Sequence, residues 1–366
     1  MAVNNRYAHP VIDHVWSAQG KYAYWLRVEW AASTAAGDTQ TASALGEELD
    51  SHDLSQIAKL ESITRHDVGA FVRWMREMRG APRAHWGLSS SDLVDAGQAL
   101  AVQEVSTCLC REARLLTQSL ELLGVQHADT PRAARTHGVF AEPDTFGRQV
   151  GVWGDRVAKA AEQLVGATGP ATEIVLGGPI GDAQVHDSVR LGALLGLQPG
   201  RYRKAQANDR GALVGWASAV SGLMSAIEHL AIQVRLGATY GEMAEWFAPD
   251  QWGSTSMPHK RNPVRSERIC GLARVVRAQV GALAESVSWW GEHDISHSSV
   301  ERVCLPLATG LTGFALREAI DLVAHLIVVP DRMQSHIEHA GTWDRWLAEQ
   351  SANPEAWAEI YKGLQG

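Results

Sequence analysis

The sequence predicts an all-α protein organised around an elongated bundle of long helices. Apolar residues recur at steps of three and four over residues 210–236, 272–287 and 305–322, which is the spacing of one helix face. Residues 98–123 and 150–165 contain no proline and are rich in Ala, Leu, Glu, Arg and Gln. The apolar/polar alternation that is typical of strands is not sustained anywhere in the sequence.

Each long helix has its own justification, in chain order. The stretches 98–123 and 150–165 are predicted from composition, because these residue types lose little rotamer freedom in a helix. The third helix carries the apolar stripe Leu213, Trp216, Val220, Leu223, Ile227, Leu230 and Val234. The fourth carries the stripe Leu272, Val275, Val276, Val280, Leu283 and Val287. The fifth is expected to start near Pro306, since proline is favoured in the first helical turn.

Composition and charge exclude several classes of protein. Lys and Arg number 33 against 41 Asp and Glu, and this net charge of −8 does not favour a nucleic-acid partner, although a small anionic substrate in a local basic pocket is compatible with it. No run approaches the ~18 apolar residues of a membrane span, and the N-terminus has no secretory or transit pattern, so a cytoplasmic location is expected. The four cysteines are too scattered for a disulfide framework.

Function is expected in the irregular segments between the helices, because polar groups displayed there by rigid elements usually carry the chemistry. These segments are 85–92, 137–147, 177–182, 247–263 and 289–299. The glycines of 177–182 do not follow the order G-x-G-x-x-G and no clear strand precedes them, so a dinucleotide site is not expected.

The segment 253–263, GSTSMPHKRNP, combines three hydroxyls, two fixed cations and an amide. Asn262 as N-cap and Pro263 at the first helical position explain the Asn-Pro pair as a helix start. They do not explain the hydroxyls followed by Lys260 and Arg261, which beside a helix N-terminus are typical of an anion site. An anion site and a solvated loop are both open at this point.

Three histidine segments permit a chemical or a structural interpretation. His137, next to a glycine, can exchange a proton near pH 7, although a single histidine in this setting is more often a hydrogen-bonded structural residue. His66 precedes Asp67, although neighbours on a helix do not face each other. His293 and His297 stand four apart, but no third ligand accompanies them at a suitable spacing, so no metal site is expected.

Together these segments resemble the aspartase/fumarase superfamily, and within it the adenylosuccinate lyase family. The matching segments are TRHDVGAF (64–71), HWGLSSSD (85–92), RTHGVFAEPDTFG (135–147), GSTSMPHKRNP (253–263) and DISHSSVER (294–302). They occur in the order of the family. The long 253–263 segment is specific to the superfamily, whereas the RHD and SHSS segments point to the adenylosuccinate branch.

The resemblance implies a three-part helical protomer. Its expected parts are a small N-terminal helical domain over 1–90, a central long-helix bundle over 91–327 and a shortened C-terminal segment over 328–366. It also implies a homotetramer in which each active site takes segments from three chains. Neither a cofactor nor a metal is implied, and the expected partners are a small anionic substrate and further copies of the chain.

The resemblance also implies a role for each matched residue. Ser254 matches the general base and His137 the general acid, while Gly253 is expected to make the loop mobile. Lys260 and Asn262 match residues that hold the carboxylate where negative charge accumulates. The other substrate-binding positions are Ser89 and Ser90 for the succinyl part, Arg65, His66 and Asp67 in a further contact segment, and Arg6, Tyr7, Ser298 and Arg302 for a nucleotide phosphate.

Three departures from the family pattern bear on the substrate. Phe140 stands where the family has a second histidine, His293 where it has an arginine, and Ala207 where it has a glutamine. We predict a carbon–nitrogen lyase that releases fumarate from an N-succinyl substrate, similar to adenylosuccinate lyase. The alternatives are the same fold acting on a non-nucleotide succinyl adduct, a carboxymuconate-type cycloisomerase, and a catalytically silent helical assembly protein.

Overall fold

The computed structural model describes residues 5–340 except 47, 182–186, 203 and 258, and in that part of the chain it is dominated by helices. The helices are α1 (Pro10–Val15), α2 (Ala18–Ala35), α3 (Thr39–Leu45), α4 (Ser51–Thr64), α5 (Asp67–Glu77), α6 (Ser90–Gln126), α7 (Phe146–Ala171), α8 (Ser188–Leu195), α9 (Gly211–Tyr240), α10 (Val264–Ala284), α11 (Ser296–Ala324) and α12 (Pro330–Ala340). The strands are β1 (Pro131–Thr136), β2 (Val139–Thr145), β3 (Met243–Ala244) and β4 (Ile327–Val328). The prediction of an all-α fold is confirmed, since 69% of the described residues are helical.

The five predicted long helices are present as α6, α7, α9, α10 and α11, and α7 and α9 lie closest to their predicted bounds. The predicted helix start at Pro306 is wrong, because α11 begins at Ser296 and Pro306 lies inside it. The helix continues past the proline because the residues on either side of it are held by packing: Leu305 and Ala308 are almost fully buried. The Thr309 hydroxyl also donates to the Leu305 carbonyl oxygen at 2.7 Å.

The chain divides into two compact units. Unit 1 comprises Met1–Glu112, Ala160–Ser225 and Leu272–Ala315, and unit 2 comprises Ala113–Lys159, Ala226–Gly271 and Leu316–Gly366. The domain boundaries predicted after residues 90 and 327 stay a prediction. Most of the predicted C-terminal segment, residues 341–366, lies outside the described part of the chain.

The core of unit 1 contains an aromatic cluster between α2 and α5. The Phe71 ring stacks on Tyr22 and Trp74, with ring centroids 5.4 and 5.5 Å apart, and meets Trp25 edge-on at 5.7 Å. Such pairs contribute about 0.5–1.5 kcal/mol beyond the burial of their area. The cluster fixes α5, and therefore its first residue Asp67, against α2.

Unit 2 contains both small sheets. Strands β1 and β2 form an antiparallel hairpin in which Thr136 pairs with Val139, and α12 packs on β1. Strands β3 and β4 pair antiparallel, Met243 with Val328. The hairpin occupies a segment for which the sequence predicted only irregular structure, and it forms because a two-residue turn at 137–138 brings the two short strands together.

Two helices, α9 and α11, are long and apolar enough to cross a membrane by length and composition alone. Core helices of soluble proteins meet the same criterion. The most apolar 18-residue window of α9 is only 39% buried, and Ile232 and Leu236 are among its exposed residues. Leu122 and Val125, on α6, are 74% and 77% exposed. These helices therefore present apolar side chains that the protomer itself does not cover.

Candidate active site

The loop between β3 and α10 is closed by hydrogen bonds between its own residues. Asn262 Nδ2 donates to the Gly253 carbonyl oxygen at 2.9 Å, and the Lys260 N–H donates to the Met257 carbonyl oxygen at 2.9 Å. A Cβ atom at Gly253 would collide with the Lys260 carbonyl oxygen. The glycine is therefore required by this close approach, which replaces the expectation that it serves to make the loop mobile.

Ser254 lies half-buried inside this closed loop. Its Oγ accepts a hydrogen bond from the Met257 N–H at 3.1 Å. A donor in that position stabilises negative charge on the oxygen, which favours the alkoxide that a serine base requires. The cations predicted to assist, Lys260 and Arg261, lie on the same loop, and Arg261 braces it by donating to the Gln251 carbonyl oxygen at 3.2 Å.

The start of α10 is capped by a residue that the sequence did not indicate. The carboxylate of Glu245 accepts the Arg265 N–H at 3.0 Å, the Ser266 N–H at 2.9 Å and the Ser266 hydroxyl at 2.7 Å. The predicted N-cap, Asn262, instead uses its amide to close the loop. A buried carboxylate at a helix N-terminus satisfies free N–H groups and complements the helix dipole.

His137 lies at the tip of the β1–β2 hairpin and is exposed. It has φ of 54° and Gly138 has φ of 77°, which is the left-handed pair of a type I′ turn. A non-glycine residue in this region costs about 1–2 kcal/mol. The turn therefore leaves the imidazole open to solvent.

The hairpin is anchored through Arg135, two residues before His137. Its guanidinium pairs with Glu242 through both terminal nitrogens, and its Cζ lies 4.0 Å from the Tyr240 ring centroid and 4.8 Å from that of Phe140. Phe140, which replaces a family histidine, thus serves as one face of a cation–π contact. His336 Nδ1 donates to the same Glu242 carboxylate at 2.7 Å.

Unit 1 contains a cavity of about 420 Å³ whose lining includes three of the predicted substrate residues, Asp67, Ser298 and Arg302. Arg302 Nη2 donates to Asp67 Oδ2 at 2.7 Å, and Lys21 Nζ lies 3.7 Å from the same oxygen. Burial alone would raise the pKa of Asp67, but Lys21 and Arg302 lower it below its ordinary value. Asp67 is therefore ionised at neutral pH and pairs with both cations of this cavity, Arg302 and Lys21.

Aromatic side chains form part of the remaining lining of this cavity. Its walls include Trp16, Tyr22, Tyr24 and Trp25. Lys21, which the sequence analysis missed, lies 4.3 Å from the Tyr22 ring centroid and 4.9 Å from that of Trp25, and burial lowers its pKa. The cavity thus combines flat apolar walls with charged groups of both signs, since Glu61 and Glu301 also line it. This arrangement suits an aromatic ligand that carries polar groups.

The Ser89–Ser90 pair lies at the start of α6, where Asp92 organises it. The Ser89 N–H and hydroxyl donate to Asp92 Oδ2 at 2.8 and 2.9 Å, and the Asp92 N–H donates to Ser89 Oγ at 3.2 Å. This is a reciprocal capping arrangement. The Ser89 hydroxyl is therefore committed to Asp92, which leaves Ser90, half-buried at the first position of α6, as the better placed of the two for a ligand.

Asp92 is the centre of a wider buried network. Lys204 Nζ donates to its Oδ1 at 2.6 Å, and the N–H groups of Gly177 and Gly178 donate to its two oxygens at 2.9 and 3.0 Å. The side chains of Asp92 and Lys204 are 0% and 3% exposed. The glycine-rich 177–182 segment is thereby held against α6 by an anion of the protein itself, and this accounts for its free N–H groups.

Replacing Asp92 by alanine is expected to destabilise the protein strongly. The substitution leaves the Lys204 charge buried without its partner, and such a change costs about 3–5 kcal/mol. Urea unfolding of Asp92→Ala measures this loss in the free energy of unfolding. Glu77→Ala is the matched control, because its pair with Arg73 is about half exposed and should contribute less than about 1 kcal/mol. Equal small losses in both variants would contradict the buried network.

The remaining predicted residues of the substrate site lie on the surface of unit 1 or near it. Arg6 and Arg65 are exposed, and Arg65 ends α4 in a left-handed conformation. Tyr7 packs edge-on against Phe314, with ring centroids 5.3 Å apart. His66 caps α5, its Nδ1 accepting the Gly69 N–H at 3.1 Å, so its exposed Nε2 carries the ring proton in the neutral form.

His293 and His297 pack beside a buried ion network. Arg210 donates to Asp95 and to Glu301, each at 2.8 Å. The two imidazole rings have centroids 5.1 Å apart. Burial, aided by Arg210, lowers the pKa of His297 to about 4 and also lowers the pKa of His293. His293 is therefore neutral near pH 7 and does not supply the charge of the arginine it replaces.

One group of described side chains has the spacing of a metal site. The ligand atoms of His9, Cys108 and Glu112 lie within 4.8 Å of one another, and all three residues are buried. The Ile12 N–H donates to His9 Nδ1 at 3.2 Å, so Nε2 carries the proton and donates to Glu112 at 3.0 Å. A metal at Nε2 would require an imidazolate. We therefore interpret the group as a hydrogen-bonded pair beside a cysteine.

Comparison with known proteins decides the family. Residues 22–278 match the family model described as lyase (Lyase_1). The chain belongs to this lyase family. The family lies in the aspartase/fumarase superfamily, so the resemblance drawn from the five segments is confirmed. Enzymes of the lyase family act on small anionic substrates.

Adenylosuccinate lyases of several organisms align with most of the length of this member of the lyase family. It is similar to adenylosuccinate lyase of Deinococcus radiodurans, with 33% identity over 356 residues, 92% of this chain and 81% of that protein. It is similar to adenylosuccinate lyase of Synechocystis, with 35% identity over 347 residues, 92% of this chain and 80% of that protein. The corresponding enzyme of Bacillus subtilis is 31% identical over 344 residues, 91% of this chain and 80% of that protein.

Solved structures show the same fold at lower identity. Fumarate lyase from Mesorhizobium sp. BNC1 matches with a TM-score of 0.81 and 21% identity, over 98% of this chain and 86% of that one. The 3-carboxy-cis,cis-muconate lactonizing enzyme from Pseudomonas putida matches with a TM-score of 0.80 and 23% identity, over 91% of this chain and 78% of that one. The lyase family fold is thus shared by enzymes of different named activities.

Proposed function

We propose that this lyase family member cleaves a carbon–nitrogen bond in an N-succinyl substrate and releases fumarate, as an adenylosuccinate-lyase-like enzyme. One observation carries the proposal: identity of 31–35% to adenylosuccinate lyases over about nine-tenths of the chain, with the predicted base, acid and carboxylate-binding residues all retained. Retention of Ser254, His137, Lys260 and Asn262 favours an active enzyme over a silent assembly protein.

The proposed reaction assigns a separate task to each of these groups. Ser254 removes a proton from the carbon beside a carboxylate, and the C–H electrons move into that carboxylate. Lys260 and Asn262 stabilise the dianion at this point, where the charge develops. The electrons then form the fumarate double bond, the C–N bond breaks, and its electron pair remains on nitrogen. His137 gives that nitrogen a proton, so an amine and fumarate are the products.

The cavity in unit 1 supports this assignment for the amine half of the substrate. It places Asp67, Ser298 and Arg302 beside aromatic walls, which suit a flat leaving group. The succinyl half is assigned to Ser90 at the start of α6 and to the 253–263 loop. The cycloisomerase alternative rests on likeness of fold alone, at 23% identity.

We propose a homotetramer located in the cytoplasm. The exposed apolar residues of α6 and α9 support further copies as the cover for these helices, since long apolar faces in water favour association.

A fumarate-release screen tests the proposed function. Purified protein is incubated with adenylosuccinate, its carboxamide-ribotide analogue, argininosuccinate and other N-succinyl adducts, and fumarate is followed by its ultraviolet absorbance. Release from at least one adduct is expected. No release from any adduct, with lactonisation of a carboxymuconate, would transfer the assignment to the cycloisomerase.

The presence of a phosphate on the substrate is tested at His293. Phosphate binding that depended on a protonated His293 would weaken as pH rises through its pKa, and burial moves that pKa below the ordinary 6.5. His293 is therefore neutral from pH 7 to 9, and its titration should cause no change in KM for adenylosuccinate over that range. His293→Arg adds a permanent cation and should lower KM by roughly tenfold.

Arg302→Ala is the companion variant, and it should raise KM for the same substrate. An unchanged KM in both variants would show that the substrate carries no phosphate. The assignment of the succinyl half of the substrate would still stand.

A further inference from the structure

We infer that two buried glutamates, Glu242 and Glu245, are positioning residues that hold the two predicted catalytic segments, the His137 hairpin and the Ser254 loop. This inference rests on the proposed function for its catalytic consequence. Neither glutamate belongs to a segment that the sequence analysis singled out. Both lie in unit 2 and flank the two residues of β3.

Glu242 binds the hairpin through Arg135, close to the turn. It is 1% exposed, and both of its oxygens accept from Arg135, which pairs with Phe140 across the hairpin. Bidentate arginine–carboxylate pairing fixes orientation as well as distance. Because Thr136 is the only residue between Arg135 and His137, this grip sets the direction in which the turn leaves the sheet.

A second contact extends this grip to the turn itself. Tyr240, whose ring carries the Arg135 guanidinium, donates its hydroxyl to the Gly138 carbonyl oxygen at 3.4 Å. His336 supports Glu242 from α12 at 2.7 Å. Glu242 therefore lies at the base of a set of contacts that ends one residue away from the proposed general acid.

Glu245 anchors the Ser254 loop at its C-terminal end, where α10 begins. It is 6% exposed and accepts the first free N–H groups of α10, those of Arg265 and Ser266. Only Pro263 separates the start of α10 from Asn262, whose side-chain amide donates to the Gly253 carbonyl oxygen next to Ser254. The carboxylate thus fixes the end of the loop, and Asn262 transmits that position to the residue before the proposed base.

The backbone between the two glutamates is itself held. Met243 and Ala244 pair with Val328 and Ile327, and the Val329 N–H donates to the Glu242 carbonyl oxygen at 2.9 Å. One short paired strand therefore carries both anchors. Burying two carboxylates is costly, and their contacts lie on the elements that display His137 and Ser254 rather than on the helix core.

Hydrogen exchange of the intact protein tests the anchoring without reference to activity. Glu242→Gln should raise exchange about tenfold in peptides covering 131–145 and leave peptides covering 251–268 near the wild-type rate. Glu245→Gln should give the opposite pattern. Arg135→Lys, which removes the bidentate pair but keeps Glu242, should reproduce the hairpin pattern. The matched control is Glu77→Gln, an arginine-paired glutamate on α5 whose partner, Arg73, lies on the same helix and outside both sets of peptides.

Steady-state kinetics test whether the glutamates position the proposed acid and base. Two N-succinyl-type substrates are compared: one releases an amine that must be protonated, and the other releases a group that needs no proton. Glu242→Gln should lower kcat about tenfold or more for the amine only, because His137 is the misplaced group. Glu245→Gln should lower kcat for both and increase the primary deuterium isotope effect at the carbon that loses its proton. KM should change less than kcat in both variants.

The outcomes separate this inference from the proposed function. A wild-type protein that releases no fumarate overturns the proposed function, while the two exchange patterns still decide the anchoring. Exchange that rises throughout unit 2 in either variant, or equal kinetic losses on both substrates in Glu242→Gln and Glu245→Gln, would reduce the two glutamates to general stabilising residues and overturn the inference.

Discussion

Replacing Ser254 by alanine is expected to lower kcat by about 10²–10⁴-fold, because general base catalysis contributes that much to a proton abstraction. KM should change far less, since substrate binding rests mainly on other segments. The structure makes Ser254→Ala a clean test: the hydroxyl accepts only the Met257 N–H among the described residues, and the loop is closed by Gly253, Lys260 and Asn262 instead. Steady-state fumarate release measures both constants.

Ser256→Ala is the matched control on the same loop, because Ser256 is exposed and has no assigned task. It should turn over near the wild-type rate. Wild-type kcat in Ser254→Ala, or an equal loss in Ser256→Ala, would take the base assignment away from Ser254.

Two inactive variants are expected to restore activity to each other. His137→Ala should also lose about 10²–10⁴-fold in kcat, as the general acid. If each active site takes His137 from one chain and Ser254 from another, random mixed assemblies of His137→Ala and Ser254→Ala contain both intact groups in about a quarter of their sites. Dissociation, mixing and reassembly should therefore recover roughly a quarter of wild-type activity.

The control for this experiment is the same dissociation and reassembly of each variant alone, which should recover nothing. Mass spectrometry of differently labelled chains confirms that mixed assemblies have formed. Mixed assemblies without activity would show that His137 and Ser254 serve a site within one chain.

The long helices were predictable because their signal is local. A stripe such as Leu213 to Val234 buries one face whatever it packs against, so its period alone identifies α9. Where a local rule failed, packing had overridden it. Pro306 was predicted near a helix start, yet α11 extends through it because its neighbours Leu305 and Ala308 are buried.

The candidate site was predictable as a set of segments but not as an arrangement. The order of residues in 253–263 indicated a loop that binds an anion, and it could not indicate that Gly253 lies against Lys260 or that Asn262 closes the loop. The hairpin under His137 was missed because its strands are short and carry little alternation, and its two-residue turn is revealed only by the backbone angles of His137 and Gly138.

The sequence by itself determined the all-α class, the positions of the long helices and the segments that carry hydroxyls, imidazoles and cations, because these depend on residue type and spacing along the chain. Only the tertiary structure decided which distant anions hold those segments: Asp92 against Gly177 and Gly178, Glu242 under the hairpin and Glu245 under α10. Burial makes an isolated charge costly, so each of these carboxylates must have partners, but those partners are distant in sequence, as Lys204 is from Asp92. No local pattern contains that pairing; it exists only once the chain has folded.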